Sequence, residues 1–236
     1  MPISVRDKSR RGSSNGYSAP RSNPNVFARS SDRPLHGLYL ILDARWECAR
    51  SLSQVLEQAA FGITMVQYRN KIDPPRLVYE KARPLRELAA ALGVRFLIND
   101  RCDIALAVDA DGVHLGQSDL PLELARKLMG PERLIGISTH CPEEVHTATK
   151  GGADYIGFGP IFPTATKPDH EPVVGLAGLR QIRTLTPLPI FAIGGITEAT
   201  AADVIDAGAN GIAVTSAILD APDTPRAVNA LVRPCS

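Results

Sequence analysis

From residue 37 onward, short runs of aliphatic and β-branched residues alternate with longer segments whose apolar residues recur about every 3.6 positions. The first pattern is typical of buried strands and the second of amphipathic helices. Leu52, Val55, Leu56 and Ala59, for example, would share one face of a helix. The predicted strands are Leu38–Leu42, Thr64–Arg69, Phe96–Asn99, Gly112–Leu115, Leu134–Ser138, Tyr155–Ile161, Pro189–Ile193 and Gly211–Ser216.

Glycine stands between several predicted helices and the strands that follow them, at Gly62, Gly93, Gly152 and Gly208. Because glycine adopts the left-handed backbone conformation that ends many helices, these positions are predicted helix stops. The segments 109–116, 152–159 and 208–215 are also weakly similar to one another, and each leads into a strand. Such echoes indicate repeated βα units.

Eight strands, each followed by a helix, predict an α/β fold with a single (β/α)8 TIM barrel. A chain of 236 residues is long enough for one such barrel. The alternative is an open doubly wound sheet. That fold is disfavoured because no GxGxxG motif follows an early strand.

The first 36 residues differ in composition, being rich in Arg, Ser, Asn and Pro and poor in aliphatic residues. Such a segment cannot bury enough apolar surface to fold, so we predict a disordered N-terminal extension over residues 1–36. An Arg- and Ser-rich transit peptide is the alternative. Residues 37–236 are then the barrel domain.

The chain has 26 Lys and Arg against 25 Asp and Glu, a formal net charge of +1. So small a net charge does not attract the chain to nucleic acid or to a membrane surface. No apolar run approaches the roughly 20 residues that cross a bilayer. Cys48, Cys102, Cys141 and Cys235 form no CxxC pair, which fits a reducing cytoplasm. We therefore expect a cytoplasmic protein whose partners are small molecules, and the sequence leaves assembly into a homo-oligomer open.

Polar residues follow the second predicted strand, at the end where a barrel places its active site. Gln67, Arg69 and Lys71 are spaced two apart and would share one face of the strand. Two cations that point into the barrel mouth are costly unless they meet an anion or carboxylates. The pattern predicts an anionic ligand, with an internal ion-pair network as the alternative.

Carboxylates follow the next two strands. Asn99 and Asp100 end the third strand, and Asp119 follows the fourth. Adjacent strands lie about 4.8 Å apart, so the two carboxylates can converge over the barrel. Oxygen ligands in small number suit Mg²⁺, which keeps several waters and shares substrate phosphates. We predict one magnesium ion on Asp100 and Asp119; the alternative is that both side chains cap the helices that follow.

The fifth and sixth strands are also followed by polar groups. Ser138 is a candidate hydrogen-bonding residue, whereas we interpret His140 as capping or lining the next helix. Beyond the sixth strand, Thr164, Thr166 and Lys167 stand between prolines that restrict the backbone. A barrel places such a segment where it can contact substrate.

The last two strands carry the pattern of a phosphate site. Gly194 and Gly195 let a ligand approach the backbone, and Thr215 and Ser216 can present amides and hydroxyls. The residues therefore predict a phosphate pocket at strands seven and eight. They also predict a separate cationic, magnesium-assisted polyphosphate site at strands two to six, and so two phosphorylated substrates.

The motifs in these positions resemble, in order, those of thiamine phosphate synthases, and the resemblance extends from Gly37 to Leu231. The motifs are VQYRNK (66–71), LIND (97–100), HLGQSDL (114–120), GIST (136–139), DYIGFGPIFPTATK (154–167), AIGGI (192–196) and GIAVTSAI (211–218). One departure is Asn70, where the family commonly has an acid; it lies on the alternate face of its strand.

The resemblance implies a transferase that joins 4-amino-2-methyl-5-(diphosphooxymethyl)pyrimidine to a thiazole phosphate (carboxylate), giving thiamine phosphate and diphosphate. The implied catalytic residues are Arg69, Lys71 and Lys167. The implied contacts to the pyrimidine diphosphate are Gln67, Tyr68, Arg69, Asn70, Lys71, Asn99, Ser138 and Lys167. The implied contacts to the thiazole phosphate are Thr164, Ala165, Thr166, Gly195, Thr215 and Ser216. Asp100 and Asp119 would hold magnesium.

The implied reaction passes through a pyrimidine carbocation, so its main requirement is stabilisation of the departing diphosphate rather than a general base. A related barrel, the thiazole tautomerase, is one alternative, although it would not need the full set of charged residues. A catalytically silent, ligand-binding regulator is another. The sequence leaves open whether Tyr39, His114 or His140 contacts substrate.

Overall fold

The computed structural model describes residues 34–166 and 171–235. Its parallel strands close into a barrel in which each strand pairs with the next and the last pairs with the first. The strands are β1 (Gly37–Asp43), β2 (Ile63–Arg69), β3 (Arg95–Asn99), β4 (Gly112–Leu115), β5 (Leu134–Thr139), β6 (Tyr155–Phe158), β7 (Ile190–Ile193) and β8 (Gly211–Val214). The predicted (β/α)8 barrel is confirmed, and the open sheet is excluded.

Helices surround the barrel and connect its strands. The α-helices are α1 (Leu52–Ala59), α2 (Pro75–Leu92), α3 (Cys102–Ala107), α4 (Leu122–Met129), α5 (Pro142–Gly151), α6 (Gly175–Arg183), α7 (Ala201–Asp206), α8 (Ser216–Leu219) and α9 (Thr224–Val232). Short 3-10 helices cover Ala44–Trp46 and Arg233–Cys235. Among the residues that the structure describes, no helix is both long and apolar enough to cross a membrane.

Two strands end earlier than the sequence predicts. β6 ends at Phe158 instead of Ile161, because Pro160 has no N–H to continue the ladder. β8 ends at Val214 because Ser216 already begins α8. Both changes lengthen the loops that carry the predicted substrate contacts.

The glycine helix stops are confirmed in part. Gly93 and Gly152 adopt left-handed φ angles of 70° and 79° directly after α2 and α5. Gly62 is a correction, because its φ lies outside the left-handed region. A Cβ at this position would lie 2.4 Å from Cγ1 of Val228, so the packing of α9 requires the glycine here.

Alternate residues of each strand belong to separate hydrophobic clusters. In β1, Leu38, Leu40 and Leu42 pack outward against the helices, whereas Tyr39 and Ile41 point into the barrel. The interior cluster consists of Tyr39, Ile41, Met65, Leu97, Tyr155, Phe191 and Ala213. Side chains two residues apart point to the same side of a strand. A polar residue two positions after an inward apolar residue, at the carboxyl end of the strand, therefore faces the barrel mouth.

The predicted N-terminal extension lies mostly outside the described residues, and the boundary at residue 36 stays a prediction. The three described residues before β1 contact the barrel. Leu35 packs against the interior cluster, and the carbonyl of His36 accepts a 2.6 Å hydrogen bond from the Thr64 hydroxyl.

We predict that Gly136→Ala destabilises the barrel by about 1–3 kcal/mol, through overpacking. Gly136 lies opposite Tyr155 in the β5–β6 register, and a Cβ would lie 2.0 Å from Cζ of this fully buried ring. Urea denaturation measures the loss. Combining the change with Tyr155→Leu, which shortens the obstructing side chain, should cost less than the sum of the two single changes. A Gly136→Ala variant as stable as the wild type would contradict this packing.

Candidate active site

The carboxyl ends of the strands form a rim around two adjoining pockets. One, the threonine pocket, is lined by Thr164, Thr166, Gly195, Thr215 and Ser216 among others. The other, the carboxylate pocket, is lined by Gln67, Lys71, Asn99, Asp100 and Asp119 among others. Both pockets share Ile41, Arg69, Ser138, His140, Glu171, Ile193 and Ala213.

The two pockets differ in size. Their cavity volumes are about 170 Å³ for the threonine pocket and 330 Å³ for the carboxylate pocket. The second lies within the range of about 300–1,000 Å³ that ligand sites commonly enclose. Because the pockets share a wall, two ligands bound at the same time would lie next to each other.

Both predicted cations of β2 have carboxylate partners at the rim. Arg69 donates from Nη1 to Oδ2 of Asp43 at 2.5 Å, and Lys71 Nζ lies 2.9 Å from Oδ2 of Asp100. Each cation also lines the carboxylate pocket. Arg69 and Lys71 therefore form internal ion pairs, the alternative prediction. They also line a pocket that could receive an anion, as the first prediction requires.

The two predicted magnesium ligands lie side by side and cap no helix. The residues before α3 and α4 are Arg101 and Pro121, and neither makes a side-chain cap. Burial, followed by the adjacent Asp100 carboxylate, raises the pKa of Asp119. Asp119 also accepts a 2.7 Å hydrogen bond from the Gly116 amide, which closes the loop after β4. The capping alternative is therefore excluded.

Asp100 has an unusual backbone, with φ of 63° in the left-handed region. Its amide donates to the carbonyl of His114 on the neighbouring strand at 2.8 Å. Asp tolerates this conformation better than most residues, but the conformation still carries strain that the surroundings must hold. The turn directs the carboxylate into the pocket instead of along the start of α3.

A chain of hydrogen bonds crosses the barrel interior beneath the pockets. Gln67 Nε2 donates to the Tyr39 hydroxyl at 2.5 Å, and that hydroxyl lies 3.0 Å from the hydroxyl of Tyr155. His114 joins Tyr155 through Nδ1 at 2.9 Å and Ser138 through Nε2 at 3.0 Å. The chain satisfies polar groups that would otherwise be costly to bury and fixes Ser138 at the wall shared by the pockets.

The interior groups of this chain are neutral. Burial lowers the pKa of His114 to about 4, although the nearby Asp100 opposes the shift. Burial likewise raises the pKa of Tyr39 and of Tyr155 far above the usual range. Neither phenol carries a charge near neutral pH, and His114 is a neutral imidazole that can accept through one nitrogen and donate through the other.

The described part of the loop after β6 lines the threonine pocket with Thr164 and Thr166 and reaches the start of α8. The Thr166 hydroxyl lies 3.2 Å from the Ser216 hydroxyl, and the Thr166 amide donates to the Thr164 hydroxyl at 3.2 Å. Gly195 has φ of 63°, and a Cβ there would lie 2.4 Å from the carbonyl oxygen of Pro163. Only glycine lets the β7 loop approach this closely.

Several predicted contacts are not brought to the pockets. Tyr68 packs with the outer cluster and donates to Glu47 at 3.0 Å, and Asn70 donates to the Tyr68 hydroxyl at 2.8 Å. Ala165 is exposed and lines neither pocket. The prediction for Lys167 falls outside the described residues. Tyr68 and Asn70 alternate with Gln67 and Arg69, so the strand period places them on the opposite face.

Other residues at the rim were missed by the sequence reasoning. Asp43 follows the inward positions Tyr39 and Ile41 of β1 and lines the threonine pocket together with Arg45. The same two-residue period that selected Gln67 and Arg69 on β2 would have selected Asp43 on β1. His140, interpreted from the sequence as capping or lining the next helix, makes no side-chain cap on α5. Its amide donates to Glu144 at 2.7 Å, and the residue also lines both pockets.

Fold and site together define a (β/α)8 barrel with a two-part candidate active site at the carboxyl ends of its strands. The chain belongs to the thiamine monophosphate synthase family, because the model of that family matches residues 38–218. It is 51% identical over 195 residues to a thiamine-phosphate synthase of Chloroflexus aurantiacus, covering 82% of this chain and 90% of the relative. It is 46% identical over 196 residues to a thiamine-phosphate synthase of Shouchella clausii, covering 83% and 94%.

A solved structure shows the same relationship. The thiamine phosphate pyrophosphorylase of Pyrococcus furiosus superposes with a TM-score of 0.76 at 40% identity, covering 84% of this chain and 95% of that one. The family prediction is confirmed. The names of the relatives support the main functional prediction and not the thiazole tautomerase or the silent regulator.

We predict that the buried His114 makes the fold acid-sensitive. Its folded pKa of about 4 lies below the ordinary 6.5, so the unfolded chain binds more protons between these values. Stability is therefore lost as the pH falls through this window, by up to about 3 kcal/mol. Urea denaturation at pH 6.5, 5.5 and 4.5 measures the slope, which should be shallower in His114→Gln.

The control for this prediction is His146→Gln, because His146 is exposed on α5. The control should keep the pH dependence of the wild type. Identical slopes in both variants would show that His114 does not contribute to the acid sensitivity.

Proposed function

We propose that this chain acts as a thiamine-phosphate synthase, joining 4-amino-2-methyl-5-(diphosphooxymethyl)pyrimidine to a thiazole phosphate with release of diphosphate. One observation carries the proposal: Arg69, Lys71, Asp100 and Asp119 line one pocket, although 50 residues separate the first from the last. The adjoining threonine pocket provides a place for a second phosphorylated substrate beside them.

The carboxylate pocket would hold the pyrimidine diphosphate. Gln67, Asn99 and Ser138 offer hydrogen-bonding groups towards the barrel axis, and Arg69 and Lys71 offer positive charge nearer the rim. An Arg fork and a compact Lys charge both suit diphosphate oxygens. Family resemblance adds Lys167, the residue that follows Thr166 in the sequence.

Asp100 and Asp119 would hold one magnesium ion. Their fit is supported by the raised pKa of Asp119, which results from burial and then from the adjacent Asp100 carboxylate, because a divalent cation favours the charged form of both groups. No group of three or more His, Cys, Asp or Glu suited to a metal occurs in the described ranges 34–166 and 171–235. Substrate oxygens and water would thus complete the coordination, as magnesium commonly requires. The ion would supply neutralisation of the departing diphosphate.

The threonine pocket would hold the thiazole phosphate. Hydroxyls of Thr164, Thr166 and Ser216, together with the close backbone at Gly195, offer donors to a phosphate group. Loops after strands seven and eight bind phosphate in many barrels. The wall common to both pockets then lets the thiazole nitrogen face the reacting methylene carbon of the pyrimidine.

In the proposed reaction, the bond between the pyrimidine methylene and diphosphate breaks first, and the aminopyrimidine delocalises the resulting cation. Arg69 and Lys71 stabilise the charge that develops on the leaving diphosphate. The thiazole nitrogen then attacks the cation, and no side chain has to remove a proton. The neutral His114 and its Tyr155 partner fit this scheme, because they orient Ser138 without serving as a base.

Cytoplasmic location is part of the proposal. Cys48, Cys102, Cys141 and Cys235 are all free thiols. Proteins that fold in an oxidising compartment more often pair such residues in disulfides.

Turnover provides the first test. Mixing the two substrates with Mg²⁺ should yield equal amounts of thiamine phosphate and diphosphate. Chromatography measures the thiamine phosphate, and a coupled enzymatic assay measures the diphosphate. A thiazole tautomerase would rearrange the thiazole carboxylate and release no diphosphate. A silent regulator would bind ligands without any product, so either result would overturn the proposal.

We predict that Asp100→Asn and Lys71→Ala each lower kcat/KM by about 100-fold or more, because the first removes the charge of a proposed magnesium ligand and the second removes a positive charge beside the diphosphate. Asn is chosen at position 100 because it tolerates the left-handed backbone of that residue. Lys127→Ala is the matched control, since Lys127 pairs with Glu123 on the outer surface of α4. Near-normal turnover in both site variants would refute these assignments.

We predict that Asp119→Asn abolishes the rise in melting temperature that Mg²⁺ gives the wild type. Without Mg²⁺ the variant should melt at the same temperature or higher. The reason is that the raised pKa of Asp119 marks a charge that disfavours the folded state above that pKa. Differential scanning fluorimetry measures both effects. The control is Asp109→Asn, because Asp109 is exposed and pairs with Arg133; this variant should keep the full response to Mg²⁺. An equally large response in Asp119→Asn would show that Asp119 is not a magnesium ligand.

A further inference from the structure

Asp43 is a buried carboxylate shared by two arginines. It ends β1, its side chain is 4% exposed, and it lies directly opposite Arg69 in the β1–β2 register. Its Oδ1 accepts from the Arg45 amide at 3.0 Å and from Arg45 Nε at 2.9 Å. Its Oδ2 accepts from Arg45 Nη2 at 2.9 Å and from Arg69 Nη1 at 2.5 Å. Both carboxylate oxygens are therefore occupied by charged donors.

The two arginines lead to different parts of the site. Arg69 lies in the wall between the threonine and carboxylate pockets. Arg45 lines the threonine pocket, where its Nη2 also donates to the carbonyl of Thr166 at 2.8 Å. Thr166 in turn reaches Ser216 through its hydroxyl. Asp43 thus connects Arg69 in the shared wall with Thr166, which lines the threonine pocket.

The orientation of the Arg45 guanidinium is also fixed by a contact with Trp46. Its guanidinium lies 5.3 Å from the centre of the Trp46 ring, a cation–π distance. Trp46 is itself fixed by a 2.6 Å hydrogen bond from Nε1 to Asp220, the residue that follows α8. A side chain ordered in advance loses little further entropy when it fixes a loop.

The charge on Asp43 is maintained despite burial. Burial by itself raises the pKa of the carboxyl, but the hydrogen bonds from Arg45 and the charges of Arg69 and Arg45 outweigh it and leave the pKa below the ordinary value. A buried carboxylate of this kind orients its partners strongly, because releasing either one would leave charge unpaired.

We propose that Asp43 is a positioning residue for both substrates: it aims Arg69 at the diphosphate and, through Arg45, holds the Thr164–Thr166 segment over the thiazole phosphate. The assignment of the two ligands rests on the proposed function. The inference itself concerns the Arg45–Asp43–Arg69 arrangement, which places one carboxylate behind both pockets without requiring it to contact either substrate.

The sign of the change in affinity tests the proposal. Replacing Asp43 by the isosteric Asn removes a negative charge near two anion sites, so a purely electrostatic effect would strengthen anion binding. Loss of positioning acts in the opposite direction, because Arg69 and Arg45 lose a charged hydrogen-bonding partner. We expect Asp43→Asn to raise the dissociation constants of magnesium diphosphate and of thiazole phosphate by about tenfold each.

Isothermal titration calorimetry of the full chain measures both constants. Arg45→Ala should weaken thiazole phosphate by a similar factor but leave magnesium diphosphate within about twofold, since Arg45 lines only the threonine pocket. Asp109→Asn breaks an Asp–Arg pair with Arg133 outside both pockets and should change neither constant. The Arg45 variant keeps the test decisive if Asp43→Asn folds poorly.

Two results would overturn the inference. One is unchanged or tighter binding of both ligands by Asp43→Asn. The other is equal weakening of both ligands by Arg45→Ala, which would indicate a general loss of structure. If the wild type forms thiamine phosphate while either result is obtained, the inference alone fails. If the wild type neither binds these ligands nor forms the product, the proposed function fails and the inference falls with it.

Discussion

Closure of eight strands that all run in the same direction brings every carboxyl end to one rim. Side chains that alternate along each strand then have only two destinations, the barrel interior or the layer beneath the helices. Residues as far apart in sequence as Asp43 and Ser216 line the same pocket as a result. The site follows from this closure, because none of its local segments could assemble it alone.

Burial and charge are divided along the barrel axis. Deep in the interior, Tyr39, Tyr155 and His114 are polar but neutral, since burial disfavours their charged forms. They satisfy one another, and in the described residues no buried side-chain nitrogen or oxygen lacks a hydrogen-bond partner. At the rim several side chains are charged, and Lys71 is half exposed there, so water can solvate its ammonium group. This gradient keeps the core stable while the charges remain available to a substrate.

The rim also stores unfavourable interactions. Asp100 holds a left-handed backbone, and burial followed by the adjacent Asp100 carboxylate raises the pKa of Asp119. Neither feature stabilises the free protein. Asp43 illustrates the opposite case, because two arginines fully compensate its burial. The contrast separates carboxylates whose charge is incompletely compensated from a carboxylate that holds other side chains in place.

The sequence by itself determined the strands and their order, the barrel, the family and most of the rim. Each follows from local spacing or from motifs, as in Gln67, Asp100, Thr166 and Ser216. Tertiary structure decided which neighbours actually meet. Tyr68 and Asn70 belong to a family motif yet face the helix layer, whereas Asp43 belongs to none of the motifs yet joins Arg69 through the β1–β2 register. Motifs record which residues occur together, but a hydrogen bond requires a distance of about 3 Å, and only strand register and barrel closure set distances between segments so far apart in the chain.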